Sequence, residues 1–255
     1  MASHRSVVLE EVQLVPFIQH LLDCHVQSCT LIVCSTRESF MTGLSSAVAK
    51  QGRPVHNTEA NGSSAATDTS THQLSNSPWS IPTLRLLASS RTIKLAFCPD
   101  VPHLRAYLAS YACTQSMKAD EGATATNSTS SPSLIAILNP LQLHRPTSAF
   151  SAQGLNRTFA VAIEAAYHSG RRLIFAECAV GDGNEAAHDT DTEEEALALA
   201  HSPSTNPWDE EVSILNVTTK TFSAGERGWV GRTVKVRTIA ERWCEVQKLP
   251  ATDLW

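Results

Sequence analysis

The sequence predicts an α/β domain: a parallel sheet flanked by helices, closed by a C-terminal antiparallel hairpin and interrupted by three disordered insertions. Short, continuously apolar runs at 29–34, 93–98, 134–138 and 172–178 alternate with stretches whose apolar residues recur at helical spacing. Strands apolar throughout are buried on both faces, which is the pattern of a parallel sheet between helix layers. Near the C-terminus the pattern changes to simple alternation, with Val234 and Val236 against Lys235 and Arg237, as in a half-exposed edge hairpin.

The elements follow in order. Residues 16–26 (PFIQHLLDCHV) read as a helix, with Pro16 in the first turn and Phe17, Ile18, Leu21, Leu22 and His25 on one face. The strand at 29–34 (CTLIVC) leads into Ser35-Thr36-Arg37-Glu38, which has capping-box form with Ser35 as the cap. A helix to about Lys50 should then turn Phe40, Met41, Leu44 and Val48 inward. A short helix at 84–88, a strand at 93–98 and a helix opened by Pro102 come next. The run LIAIL at 134–138 is the clearest buried strand. Ser151 caps a helix to about His168, with the stripe Leu155, Phe159, Ile163, Ala166 and Tyr167, and Gly170 stops it. After the strand at 172–178, the hairpin pairs 211–217 with 232–239 across a Gly-rich turn at 225–231.

Three segments, 52–79, 118–132 and 181–208, are too poor in large apolar side chains to offset their chain entropy, and are expected to be disordered insertions. They comprise 71 of the 255 residues. The rest forms one domain over 1–248, with 249–255 as a tail. No run approaches the roughly 18 apolar residues of a membrane helix. The N-terminal Met-Ala-Ser-His-Arg-Ser leads into Glu10 and Glu11 and is not expected to be a secretory signal. The sequons at Asn61, Asn127, Asn156 and Asn216 are then accidental. Seven cysteines, an odd number without a C-x-x-C pair, argue for reduced core thiols rather than a disulfide framework or a zinc site. A cytosolic or nuclear compartment is expected from this.

Charge is unevenly distributed. The whole chain carries −5, but 181–211 holds ten acidic residues and no Lys or Arg. Residues 217–248 carry seven basic against three acidic residues, a local +4. The candidates for phosphate-backbone contact are Arg227, Arg232, Lys235 and Arg237, against the plainer reading of a solvated hairpin.

Catalytic patterns are scarce. The junction after the strand at 29–34 has no glycine before Gly43 and no Gly-Lys-Ser/Thr, and Glu38 would repel a phosphate at that helix start. At the end of the 134–138 strand, where an ATPase places an acidic metal-binding group, stands Asn139-Pro140. Glu177 is a general-base candidate or, more plainly, a hydrogen-bonded capping carboxylate. There is no G-x-S-x-G and no H-E-x-x-H. His144-Arg145 is a loop pair facing either a cleft or water. No catalytic residue, cofactor-binding residue or metal ligand is assigned.

The strand 29–34 with its following helix, LIAILNPLQLH, the helix start Ser151-Ala152-Gln153-Gly154-Leu155-Asn156-Arg157, and RLIFAEC followed by a loop and hairpin together resemble RecA-type recombinases and their paralogs. A RecA-like core without Walker A is similar to the Shu-complex paralog subunits and their SWIM-domain partners. The resemblance implies a non-catalytic subunit of a recombination-mediator complex. It would be nuclear, bound to a protein partner, and in contact with single-stranded DNA through the C-terminal basic stretch. The Elongator ATPase-like subcomplex, acting in tRNA modification from the cytoplasm, is the other resemblance, and a divergent ATPase is the enzymatic alternative.

Overall fold

The computed structural model describes residues 6–24, 28–51, 83–119, 133–178, 206–214 and 232–248. Within them, six parallel strands form one sheet in the order β3-β2-β4-β5-β1-β8. The strands are β1 (Val7–Val12), β2 (Cys29–Val33), β3 (Ile93–Phe97), β4 (Leu134–Leu138), β5 (Arg172–Cys178) and β8 (Glu245–Lys248). Strands β2 and β4 are buried at every position, as their unbroken apolar runs require.

Helices cover both faces. On one lie α1 (Leu14–Asp23) and α2 (Arg37–Gln51), whose Phe17, Leu21 and Phe40 pack on Leu9, Leu31, Val33 and Leu138. The short α3 (Leu84–Ser90) contacts α1. On the other face lie α4 (Val101–Ala119), α5 (Pro140–His144) and α6 (Ala152–Ser169). Leu104, Leu108, Leu155 and Phe159 cover Ile32, Ile135, Ile137 and Phe175 there. Helix α7 (Val236–Ala240) completes that layer.

Four strands, β2 to β5, lie where the apolar runs place them, but the two at the right-hand end of the sheet do not. Strand β1 has no clean period, because Glu10 and Glu11 interrupt it. Its register against β5 shifts between Leu9 and Val12, and Glu11 takes a left-handed φ of 51°. The extra residue returns Val12 to the α1 face beside Leu9, a β-bulge that conserves the apolar side of the strand. The expected long hairpin is corrected as well. Strands β6 (Glu211–Ser213) and β7 (Thr233–Lys235) pair antiparallel over three residues as a separate small sheet. The chain then turns into α7, burying Val236, Ile239 and Ala240, and β8 joins the main sheet parallel to β1.

Smaller differences have local causes. Thr36, not Ser35, caps α2, its Oγ1 accepting from the Ser39 N–H at 3.2 Å. Met41 and Tyr167, expected in the core, are 47% and 80% exposed. Lys118 and Ala119 are still helical, while most of the three predicted insertions, and His25, lie outside the described residues. The last part of the third insertion does not behave as loop: Pro207–Asp209 form a 3-10 turn that buries Trp208.

Helix α6 starts as expected. Ser151 Oγ accepts from the Gly154 N–H at 3.2 Å, and Gly170 ends the helix at φ 63°. Gly154 is required by a close approach: a Cβ there would lie 2.1 Å from the Ala149 carbonyl oxygen. Because the obstacle is backbone, Gly154→Ala should cost about 1–3 kcal/mol through forced movement of that turn. Urea midpoints of wild type and variant check this; equal midpoints would refute the packing argument.

Candidate functional site at the strand exits

In a parallel sheet, ligands bind beyond the strand C-termini where neighbouring strands hand off to opposite faces. Among the described residues such places lie on both sides of β2, since its neighbour β3 leads to α4 on the face opposite α2, and between β1 and β5. Strand β2 leads to α2 on one face while β4 leads to α5 and α6 on the other. Likewise β1 leads to α1, while the chain after β5 returns as Trp208 and α7 on the opposite face. The first crevice, between β2 and β4, is bounded by Cys34, Ser35, Thr36 and Asn139, and the second, between β1 and β5, by Val12, Gln13, Glu177 and Cys178.

The second crevice opens on the junction between β1 and α1. Gln13-Leu14-Val15-Pro16-Phe17 contains no glycine and no lysine. Pro16 also removes one backbone donor from the first turn of α1. Neither junction therefore offers the glycine-lined amide cradle with a lysine that a phosphate loop uses.

The exit of β4 is filled by the chain itself. Asn139 adopts φ 60°, ψ 44°, a left-handed conformation that asparagine tolerates better than most residues. Its side chain accepts from the Cys178 N–H at 2.9 Å and donates to Gln142 Oε1 at 3.1 Å. Glu177 is fully enclosed, its Oε2 accepting from the Leu141 N–H at 2.9 Å and its Oε1 from the Gln142 N–H at 2.8 Å. A helix N-terminus attracts anions because its first amides are unpaired. At α5 those amides hold the protein's own carboxylate. Burial pushes the Glu177 carboxyl up to about 7, against the opposing pull of its two amide hydrogen bonds.

His144 does not face a cleft or water. It is completely buried, with Nδ1 at 2.7 Å from the Pro140 carbonyl oxygen and Nε2 at 2.9 Å from Thr158 Oγ1. Arg105 Nε donates to the same Thr158 hydroxyl at 3.0 Å and its terminal nitrogen to the Gly154 carbonyl at 2.8 Å. The carbonyl requires a proton on Nδ1, and in the neutral ring Nε2 then accepts from the threonine hydroxyl. Burial lowers the His144 pKa, as that neutral state demands. This chain of contacts joins α4, α5 and α6 and is structural. Its sequence signal is the four-residue spacing of Pro140 and His144, one turn of the helix that Pro140 opens.

Of the described basic candidates, two are exposed and one is turned inward. Arg227 lies outside the described residues. Arg232 and Lys235 are exposed at the two ends of β7, and Lys235 stands opposite Glu211 across the small sheet. Arg237 is turned inward. It pairs with the buried Glu10 and with Asp209, Nε to Oδ1 at 3.1 Å. The pair ties the bulge in β1 to the Trp208 turn through α7, so this guanidinium is occupied within the fold.

The comparisons with known proteins identify no relative. No family model, no curated protein and no solved structure matches the chain. Among the described residues, no group of three or more His, Cys, Asp or Glu side chains could hold a metal ion. No helix among them is long and apolar enough to cross a membrane. Cys24, Cys29, Cys34, Cys98, Cys178 and Cys244 are free, and burial holds the thiols of Cys29, Cys178 and Cys244 protonated, pushed up to about 12. Such thiols pack as small apolar groups.

Proposed function

We propose that this chain is a non-catalytic, RecA-like subunit of a recombination-mediator complex, contacting single-stranded DNA through Arg232 and Lys235 and, with them, Arg227. The observation that carries the non-catalytic part is the capping of α5 by Glu177, together with two helix junctions that lack glycine and lysine. Support for DNA contact is the excess of basic residues over 217–248 and the exposure of Arg232 and Lys235. Arg237 is left out of the contact set because its partners are internal.

Two measurements test the reading. Millimolar ATP with magnesium is expected to leave the melting temperature unchanged, since a ligand at 100 times its Kd would add about 2.7 kcal/mol of stability. A rise of several degrees would refute the non-catalytic assignment. Replacing Arg232 and Lys235 with Glu should flatten the dependence of single-stranded DNA affinity on salt. Each lost phosphate contact removes about 0.7 from the slope of log K against log salt. Anisotropy titrations at several salt concentrations read this, and an unaltered slope overturns the DNA contact.

A further inference from the structure

Strands β2 and β3 run parallel and in register, from Cys29 opposite Ile93 to Val33 opposite Phe97. The residue that follows each strand is a cysteine, Cys34 after Val33 and Cys98 after Phe97. The Cys98 N–H donates to the Val33 carbonyl at 2.9 Å, so the ladder still joins the two chains at this point. Both cysteines lie in the layer under α4, with Ile32, Val101 and Leu104, and are 3% and 2% exposed. Two thiols therefore share one face at the exits of neighbouring strands. Adjacent strands lie about 4.8 Å apart, within the Cα separation of about 4.4–6.8 Å that a disulfide spans. Other described cysteines are placed differently. Cys29 stands opposite Ile93 and Leu134, and Cys178 lies on the other face of the sheet, in register with Val12.

The chain from Cys34 to Cys98 contains α2, α3 and β3. Strand β3 is an edge of the main sheet, hydrogen-bonded to β2 alone among the described residues. None of its five residues is fully buried. A strand held along one side, with few buried contacts, opens locally at low cost. Burial keeps both thiols protonated, Cys98 pushed up to about 11 and Cys34 well above the ordinary thiol range. Such thiols are inert while the edge is closed and react when an opening admits water and a small oxidant.

We propose that Cys34 and Cys98 are a peroxide-responsive thiol pair, whose reversible disulfide clasps the edge strand β3 to β2. The oxidant is hydrogen peroxide. During an opening Cys98 gives its proton to water, and its thiolate attacks one peroxide oxygen. The O–O bond breaks, the leaving hydroxide takes up a proton to become water, and Cys98 is left as a sulfenic acid. The Cys34 thiolate then attacks the sulfenic sulfur. The S–S bond forms, the S–O bond breaks, and a second hydroxide leaves as water. Two thiols are oxidised to one disulfide, and one peroxide is reduced to two waters. A small thiol reverses the step by exchange. In a reducing compartment such disulfides are transient and sense oxidants. Closing the loop through α2, α3 and β3 restricts the unfolded chain, so the oxidised protein resists unfolding more than the reduced one. The clasp is independent of contact with DNA.

The test uses the full chain, reduced and then exposed to hydrogen peroxide without denaturant. Remaining thiols are alkylated, and a digest is read by mass spectrometry without reduction. A peptide pair joining Cys34 to Cys98 should be the dominant cross-link, and dithiothreitol should abolish it. Cys34→Ala should lose the cross-link and leave Cys98 as a sulfenic acid that dimedone labels. The urea midpoint of the wild type should rise on oxidation, and that of Cys34→Ala should not. Matching far-ultraviolet circular dichroism spectra in reductant show that the variant folds, and the wild-type digest and midpoints decide the matter if it does not. Four results overturn the proposal: no cross-link between Cys34 and Cys98, one that forms only when urea is present during oxidation, a cross-link that joins Cys24 to Cys29 instead, or an oxidised midpoint no higher than the reduced one.

Discussion

Trp208→Ala is expected to destabilise the protein by about 3–5 kcal/mol, the range for removing a large aromatic from a closed core. Trp208 is 1% exposed and packs in the same cluster as Phe159, Phe175, Val212 and Val236. Its indole N–H has no hydrogen-bond partner among the described residues, so part of its burial is already unfavourable. Trp208→Phe removes that donor while keeping much of the apolar volume, and should cost only about 1 kcal/mol. Urea unfolding of the three proteins gives both differences. If 206–208 were a surface loop, as its composition suggests, alanine would change stability by no more than about 0.5 kcal/mol. A midpoint shift that small would refute the burial of Trp208.

Trp208 also shows where the sequence was hard to read. Its neighbours, His-Ser-Pro-Ser-Thr-Asn-Pro before and Asp-Glu-Glu after, are polar or chain-breaking, and one aromatic among them makes no period. The core of the sheet was legible for the opposite reason. Strands buried on both faces, such as Leu134–Leu138, tolerate only apolar residues, so they are visible without any partner being known. Helix α6 was legible at both ends, since Ser151 and Gly170 each satisfy a local requirement of the backbone. Strand β1 was not, because Glu10 is buried by virtue of an ion pair with Arg237, 227 positions later. Neither half of that pair has an apolar signature. The same long-range pair made Arg237 look like a free cation in a basic stretch. Alternation misled in the hairpin for a related reason: Val234 and Val236 face inward in both a strand and a strand that breaks into a helix at Val236. Glu177 was legible as a capping or hydrogen-bonded carboxylate at the end of its strand, but the helix α5 that it caps was not.

The protonation of Glu177 should make a large pH-dependent contribution to stability between pH 4.5 and about 7. Its carboxyl is raised from an ordinary 4.5 to about 7, so the folded state binds a proton more tightly than the unfolded chain does. Below pH 4.5 both states are protonated and the contribution is complete; it is lost as pH rises through about 7. At 1.36 kcal/mol per unit, the loss across that window is about 3 kcal/mol. His144 acts with the opposite sign. Its lowered folded pKa means that its contribution is complete above 6.5 and falls away as pH drops. A pH profile of the wild type alone therefore mixes two slopes that partly cancel. Glu177→Gln separates them, because His144 is present in both proteins. Glutamine keeps the shape and one acceptor and cannot ionise, though its amide opposes one of the two N–H groups of α5. The variant should lie within about 1 kcal/mol of wild type at pH 5, where the wild-type carboxyl is largely protonated. At pH 8 it should have gained up to about 3 kcal/mol relative to wild type. Urea midpoints at the two pH values measure the difference. A Glu177→Gln effect of equal size at both would mean that the carboxylate is ionised throughout, its charge held by the amides of Leu141 and Gln142 despite burial. The cap on α5 would then be a permanent anion.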